Sequence, residues 1–292
     1  MRSGETLDCV IVGGGPAGLA AGIHLARAGY RAVLLEKKSF GGQAAGLAAV
    51  ENYPGFPRGV TGKKLMSAWL AQARGWGLSC RRGEAVRLSR PAGGPFSVKL
   101  KKGGSLSARS VIWCAGAAFR RLGAAGEDKF SGRGVWNTAD EAPSCRGLTV
   151  VVAGGGEAAV QQAALLSRSA GRVYLVSRSG RLKAHRLLLR RLSLRTNVEW
   201  LPDRAVAALS GGARLKTVEL RGRGGAAERL KADALFALPG KEPRLPPAAW
   251  RRGPRGFFTA GDARGEIFRQ VAVAGGDGVR AAMRCIRYLE KI

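Results

Sequence analysis

Cys9-Val-Ile-Val-Gly-Gly-Gly-Pro-Ala-Gly18 joins a short apolar stretch to an Ala-rich one through a cluster of glycines. Val10 to Val12 predicts a buried parallel strand, and the run from Leu19 to Ala28 predicts a helix that stops near Gly29. Gly13 permits the tight turn, Gly15 lets backbone approach a pyrophosphate, and Gly18 lets the helix pack closely on the strand. The free N–H groups and dipole of that helix favour an anion at its start. A second apolar strand follows, Arg31-Ala-Val-Leu-Leu-Glu36. It ends on a carboxylate about twenty residues past the turn, where both hydroxyls of a ribose can donate to it. A glycine turn alone is a weak signal. Strand, turn, helix, strand and terminal acid in that order predict a dinucleotide-binding unit.

Leu148-Thr-Val-Val-Val-Ala-Gly-Gly-Gly-Glu-Ala-Ala159 repeats the arrangement. Gly154, Gly156 and Ala159 take the three small-residue roles, the helix is expected over Ala158 to Ser167, and the second strand over Arg172 to Val176. This strand ends in Ser177-Arg178 and not in an acid. A carboxylate there would repel a 2′-phosphate, whereas Arg178, Arg181 and Lys183 in the loop beyond would attract one. That favours NADPH over NADH; the alternative is a solvated basic loop in a chain that is basic throughout. Two such units predict an α/β protein with two Rossmann-like, three-layer ββα domains, the arrangement that brings a nicotinamide to a flavin.

Further segments carry a family likeness. They are the run from Gly13 to Gly29, Gly41-Gly42-Gln43, Val50-Glu-Asn-Tyr-Pro-Gly-Phe56, Gly126-Glu127, Gly134-Val-Trp136, the run from Gly154 to Ala163, Thr259-Ala-Gly-Asp262, and Arg269-Gln-Val-Ala-Val-Ala-Gly-Gly276. In this order and over nearly the whole chain, the sequence resembles the thioredoxin reductase family, the low-molecular-weight FAD- and NAD(P)H-dependent pyridine nucleotide-disulfide oxidoreductases. The resemblance implies FAD held by Gly13, Gly15, Pro16, Ala17, Gly18, Glu36, Gly42, Gln43, Asn52, Gly116, Gly261, Asp262, Arg269 and Gln270. Gln43 and Asn52 would contact the isoalloxazine, and Gly261-Asp262 the ribityl and pyrophosphate region. Arg269-Gln270 would open a helix beside the pyrimidine edge. It implies NADP on Gly154, Gly156, Glu157, Ala158, Arg178, Arg181 and Lys183. Asp262 follows the apolar strand Phe257-Phe-Thr-Ala260, at a strand end where open α/β sheets bind ligands. Val271 to Leu289 predicts an amphipathic helix whose Gly275, Gly276 and Gly278 suit close approach of a ligand or neighbouring backbone.

The departure from the family is chemical. Its Cys-x-x-Cys redox pair falls, without gaps, on Thr138 and Glu141, and no two of the five cysteines stand in that spacing. Cys9 and Cys114 lie in apolar strands and read as inert core; Cys285 lies in the last helix, and Cys80 opens a basic strand. Cys145, nearest the lost pair and next to Arg146, is the one candidate catalytic thiol, and the arginine could lower its pKa. The catalytic residue is otherwise unknown. Scattered cysteines argue against a disulfide framework and fit a reducing compartment. His24, expected to pack within the first helix, and His185 are too few for a metal site.

The domains are expected as 1–117 with 248–292 for FAD and 118–247, inserted, for NAD(P)H, the joins lying at Ala117 to Arg121 and at the Pro-rich stretch Pro239 to Pro254. The second join is shorter than in the family, which bears on domain rotation. Met1 to Thr6 lacks an apolar signal core and no apolar run reaches membrane-spanning length, so a cytoplasmic location is the expectation. The net charge is +29, from 49 Lys and Arg against 20 Asp and Glu. The segment Arg186 to Arg195 predicts a helix with a leucine face and an arginine face. Such a surface suits an acidic partner, a membrane or nonspecific nucleic acid, or is a solvated face; no specific nucleic-acid motif is present.

Three functions follow. The first is an FAD oxidoreductase that takes hydride from NADPH and passes electrons to an external acceptor, a small redox protein such as ferredoxin, flavodoxin or a thioredoxin-like chain, or a small molecule. The second is a disulfide reductase that borrows a partner's dithiol or uses Cys145. The third is a flavin-binding sensor or scaffold without turnover. The resemblance also implies a homodimer.

Overall fold

The computed structural model describes residues 5–222, 224–225 and 227–292. Residues 1–4, part of the leader reading above, lie outside the described residues. Among the described residues the strands run β1 (Leu7–Val12), β2 (Ala32–Glu36), β3 (Ser79–Arg82), β4 (Ala85–Ser89), β5 (Phe96–Leu100), β6 (Ser105–Trp113), β7 (Ala117–Phe119), β8 (Val135–Trp136), β9 (Thr149–Ala153), β10 (Arg172–Val176), β11 (Val198–Leu201), β12 (Arg204–Gly211), β13 (Leu215–Gly222), β14 (Ala227–Lys231), β15 (Ala234–Ala237), β16 (Lys241–Pro243) and β17 (Phe257–Thr259). The helices are α1 (Pro16–Arg27), α2 (Gly42–Ala45), α3 (Gly62–Gly75), α4 (Glu127–Phe130), α5 (Glu157–Leu166), α6 (Arg186–Ser193) and α7 (Val271–Leu289).

The chain divides into an outer unit, residues 5–118 with Pro243–Ile292, and an inserted unit, Phe119–Glu242. The first join falls one residue from the sequence boundary and the second falls five residues earlier. The reason is local pairing: β7 and β16 form a two-stranded ribbon, with Arg120 N–H donating to the Gly240 carbonyl and Arg244 N–H to the Gly116 carbonyl. The chain therefore crosses at the ribbon, and the prolines at 246 and 247 already belong to the outer unit.

In the outer unit the sheet order is β3-β2-β1-β6-β5-β4. β6 is shared lengthwise: its first half pairs antiparallel with β5, and its last residues pair parallel with β17. Strand alternation sorts the side chains onto two faces. Cys9 and Ile11 pack with α1, α3 and α7 residues such as Leu19, Leu65 and Ala282. Val10 and Val12 pack on the other side with Phe96, Val98 and Phe257. α1 and α7 meet backbone to side: a Cβ on Gly278 would lie 2.0 Å from the Ala17 carbonyl oxygen.

The inserted unit has a parallel sheet in the order β11-β10-β9-β15-β8 and an antiparallel β12-β13-β14 meander. Val150 and Val152 face α5 and α6, while Val151 and Ala153 face Val206, Val218 and Leu220 of the meander. α5 starts and stops one residue before its sequence boundaries, and α6 is shorter than the Arg186 to Arg195 run, ending at Ser193. No helix among the described residues is long and apolar enough to cross a membrane.

Gly278→Ala must push α7 away from α1. Overpacking of this kind costs about 2 kcal/mol, and urea unfolding should show a lower midpoint for G278A than for the parent chain.

Candidate functional site

In the outer unit β1 runs directly into Gly13, at φ +108°. A Cβ there would lie 2.1 Å from the Cys114 carbonyl oxygen, and a Cβ on Gly18 would lie 1.9 Å from the Gly13 carbonyl oxygen. Gly15 differs, because nothing stands within 4 Å of the place its Cβ would take. The space before the first turn of α1 is open. Gly15 caps that helix without a side-chain hydrogen bond, and Pro16 begins it. Open space, uncapped N–H groups and the positive end of a helix together fit a pyrophosphate.

Glu36 holds the turn from below. Gly14 N–H donates to its Oε2 at 2.8 Å and Lys38 N–H to its Oε1 at 2.7 Å. Each carboxylate oxygen keeps a further lone pair for a ribose hydroxyl. Gly41 N–H donates to the Gly14 carbonyl at 2.7 Å, which draws α2 over the turn. Gly42, at φ +55°, would bring a Cβ to 3.2 Å from the Gly15 Cα. Gln43 Nε2 donates to the Ala117 carbonyl at 2.6 Å. Asn52 Nδ2 donates to Gln270 Oε1 at 3.0 Å, so two residues 218 apart in sequence meet. Gly116, at φ +70°, follows β6 with open space at its Cβ position. Gly261, at φ +67°, lies where a Cβ would be 2.8 Å from that of Ala17, and half-buried Asp262 follows it in the turn that ends at Arg264. Arg264 ties that turn to α7 through the buried carboxylate of Asp277, at 3.2 Å. Arg269, half-buried, immediately precedes Gln270.

The structure thus gathers Gly13, Gly15, Pro16, Ala17, Gly18, Glu36, Gly42 and Gly261 at the start of α1 and joins Asn52 to Gln270. His24 lies in α1, as expected, and is half-buried; it lines an open cleft of about 360 Å³ with Tyr53, Trp69, Gln72 and the Gly275-Gly276 face of α7.

In the inserted unit a Cβ on Gly154 would lie 2.4 Å from the Leu238 carbonyl oxygen and 3.0 Å from the Ala159 Cβ, whereas Gly156 faces open space. Gly156 caps α5 without a side-chain partner for the first N–H groups, and Glu157 and Ala158 form the first turn. The basic loop folds back onto this turn: Lys183 N–H donates to the Gly155 carbonyl at 2.7 Å, and His185 Nε2 lies 3.0 Å from Glu157 Oε2. A cavity of about 170 Å³ opens beside Gly154 and Gly155, lined also by Arg178, Arg120, Arg121 and Arg204. Arg120 pairs with Glu242, Arg121 with Glu127 and Asp128, and Arg204 with Glu228. Among the described residues Arg178 has no carboxylate partner, which leaves its charge for an incoming anion. Arg181 turns its carbonyl to Ser179 Oγ, at 2.9 Å, and its side chain is exposed. Sequence reading missed the lining role of Arg120, Arg121 and Arg204. They come from the crossing and from β12, whose nearness to the glycine turn no local motif encodes.

The cysteines look different in three dimensions. Cys145 is buried among Val150, Val152 and Phe236, and its thiol donates weakly to the Pro143 carbonyl, at 3.6 Å. Burial pushes this thiol up, and Arg146 does not offset it, which corrects the expectation of a lowered pKa. Thr138 and Glu141 flank a short turn in which the Glu141 carboxylate accepts from Asn137 N–H at 3.3 Å. Cys9, Cys114 and Cys285 are buried in one core, Cys285 within 3.0 Å of Ser110 Oγ. Burial raises the Cys9 and Cys114 thiols, while hydrogen bonds with Cys9 and Ser110 lower that of Cys285.

Residues 7–275 match the model of the family described as pyridine nucleotide-disulphide oxidoreductase. The chain is 32% identical to a thioredoxin reductase of Treponema pallidum over 302 residues, 98% of each chain. It is 31% identical to a thioredoxin reductase of Mycolicibacterium smegmatis, over 99% of each. The crystal structure of Lactococcus lactis thioredoxin reductase superposes with a TM-score of 0.92 at 25% identity, covering 98% of this chain and all of that one.

A raised thiol stays protonated at neutral pH and reacts only as pH climbs past the ordinary thiol range. Native Cys145 should therefore alkylate with iodoacetamide more slowly than free cysteine at neutral pH, and at the free rate once the chain is unfolded in urea. Mass spectrometry of the labelled peptide measures both rates.

Proposed function

We propose that this chain, which belongs to the pyridine nucleotide-disulphide oxidoreductase family, is an NADPH-dependent flavoprotein whose electrons leave to an external acceptor without an internal dithiol. It is an NAD(P)H-dependent oxidoreductase of thioredoxin reductase type, and FAD and NADPH are the cofactors of that type. Bound FAD supplies the hydride acceptor and NADPH the donor; the protein supplies position and electrostatics. The α1 terminus with Gly13, Gly15 and Gly18 would cradle the FAD pyrophosphate, and Glu36 would take the ribose hydroxyls. Gln43, Asn52 and Gln270 would orient the ring, the last two holding each other in place. Gly154, Gly156 and the α5 terminus would take the pyrophosphate of NADPH, with Arg178, Arg181 and Lys183 on the 2′-phosphate.

The observation that carries the reading is the pairing of two open glycine cradles with Thr138 and Glu141 where a dithiol would stand. A single buried thiol cannot hold two electrons as an internal disulfide. The small acceptor would be an acidic redox protein, for which the +29 charge gives long-range steering. The relatives' name, thioredoxin reductase, keeps a disulfide acceptor as the second reading. We also propose a homodimer; light scattering of the FAD-loaded protein measures it.

Anaerobic titration of the FAD-loaded protein should bleach the flavin with NADPH at lower concentration than with NADH. Arg178→Gln with Arg181→Gln should remove most of that preference, raising the NADPH requirement by roughly tenfold for each lost charge-assisted contact. The NADPH-reduced protein should not turn over thioredoxin. Steady turnover would establish the second reading, and C145S would then show whether that thiol takes part. Tightly bound FAD that NADPH cannot reduce would leave only a sensor or scaffold.

A further inference from the structure

We propose that α6 is a docking face for an anionic membrane surface. Leu188, Leu189 and Leu192 turn inward and pack with the α5 side of the inserted unit. Leu187 and Leu194 do not: they are 57% and 74% exposed. Arg186, Arg190 and Arg191 are exposed as well. Positions 187, 190 and 191 share one helix face, and Leu194, the first residue past α6, continues their i+7 spacing. The outward stripe therefore reads leucine, arginine, arginine, leucine. Residues 186–195 carry four arginines and no acid.

The order of side chains on the stripe identifies the occupant. A protein interface buries an apolar centre and leaves charge at its rim. Here the guanidinium groups sit at the middle and the leucines at the ends. That pattern suits a headgroup layer. Phosphates meet the arginines, and isolated leucines enter between headgroups without needing a preformed pocket. Leu187, Arg190 and Leu194 are not among the residues assigned to either dinucleotide.

Sedimentation of the FAD-loaded protein with phosphatidylcholine vesicles, with and without phosphatidylglycerol, tests the proposal. The protein should pellet with the anionic vesicles, stay in solution with the neutral ones, and be released by high salt. Arg186→Gln with Arg190→Gln should weaken the partition by about fivefold per arginine. Leu187→Ser with Leu194→Ser should weaken it by roughly tenfold while the melting curve and the flavin spectrum stay unchanged. Failure to pellet with anionic vesicles overturns the proposal, as does a leucine variant that pellets like the parent. Retention on immobilised polyglutamate through the same arginines, without vesicle binding, would assign the face to an acidic protein and also overturn it. None of these readouts depends on hydride transfer.

Discussion

Backbone held against backbone is the constraint on which the structure turns. Gly13 lies under the Cys114 carbonyl, Gly18 on the Gly13 carbonyl, and Gly278 on the Ala17 carbonyl, each so close that a Cβ would overlap an oxygen. These contacts form one seam from β6 through the turn and α1 to α7. The seam fixes where α1 begins, and therefore where a helix terminus with unsatisfied N–H groups points its field. Gly154 repeats the device in the inserted unit, against Leu238 and Ala159. Gly15 and Gly156 are the complement, glycines with empty space in front. In both units, small residues serve two purposes: some let the protein close on itself, and one leaves room for a ligand.

Charge is organised by pairing as much as by excess. Around the cavity beside Gly154, three arginines have carboxylate partners and Arg178 has none among the described residues. Exposed ion pairs of this kind add little stability. Their effect is to hold three side chains at the rim of that cavity, apart from Arg178. Asp277 works in the opposite sense. Buried in α7, it is flanked by Arg264 and Arg280, and the Arg264 pair anchors the turn that contains Gly261 and Asp262.

The two strand-turn-helix units were legible because their chemistry is local. The glycine spacing, the apolar strands and the terminal Glu36 all lie within one stretch of chain, and the ends of α7 follow from its periodicity alone. Less legible were contacts made across sequence. The Asn52–Gln270 hydrogen bond joins residues that a reading of either segment leaves separate. The arginines of β12 and the crossing reach the second glycine turn only through the sheet order. The second join moved because β16 pairs with β7, and composition marks a Pro-rich linker more strongly than a short strand. Cys145 shows the limit most plainly. A neighbouring arginine in sequence suggests an activated thiol, but packing decides whether that arginine or the core is the stronger influence, and here burial wins.

The absence of a thiol pair at residues 138 and 141 changes what the rest of the chain must do. A dithiol stores two electrons and moves them by sulfur exchange, so the acceptor needs to reach only the sulfur. Without one, reducing equivalents held on a cofactor can leave only where an acceptor reaches that cofactor. Asn137 and Glu141 close the segment with their own hydrogen bonds, Asn137 Nδ2 to the Ala237 carbonyl and the Glu141 carboxylate to the Asn137 N–H. The segment is thereby a hydrogen-bonded turn that carries no thiol pair. Under the proposed reading, both glycine cradles alongside this substitution separate two tasks: accepting hydride, which the folds of both units suit, and delivering electrons, which would pass to an external acceptor.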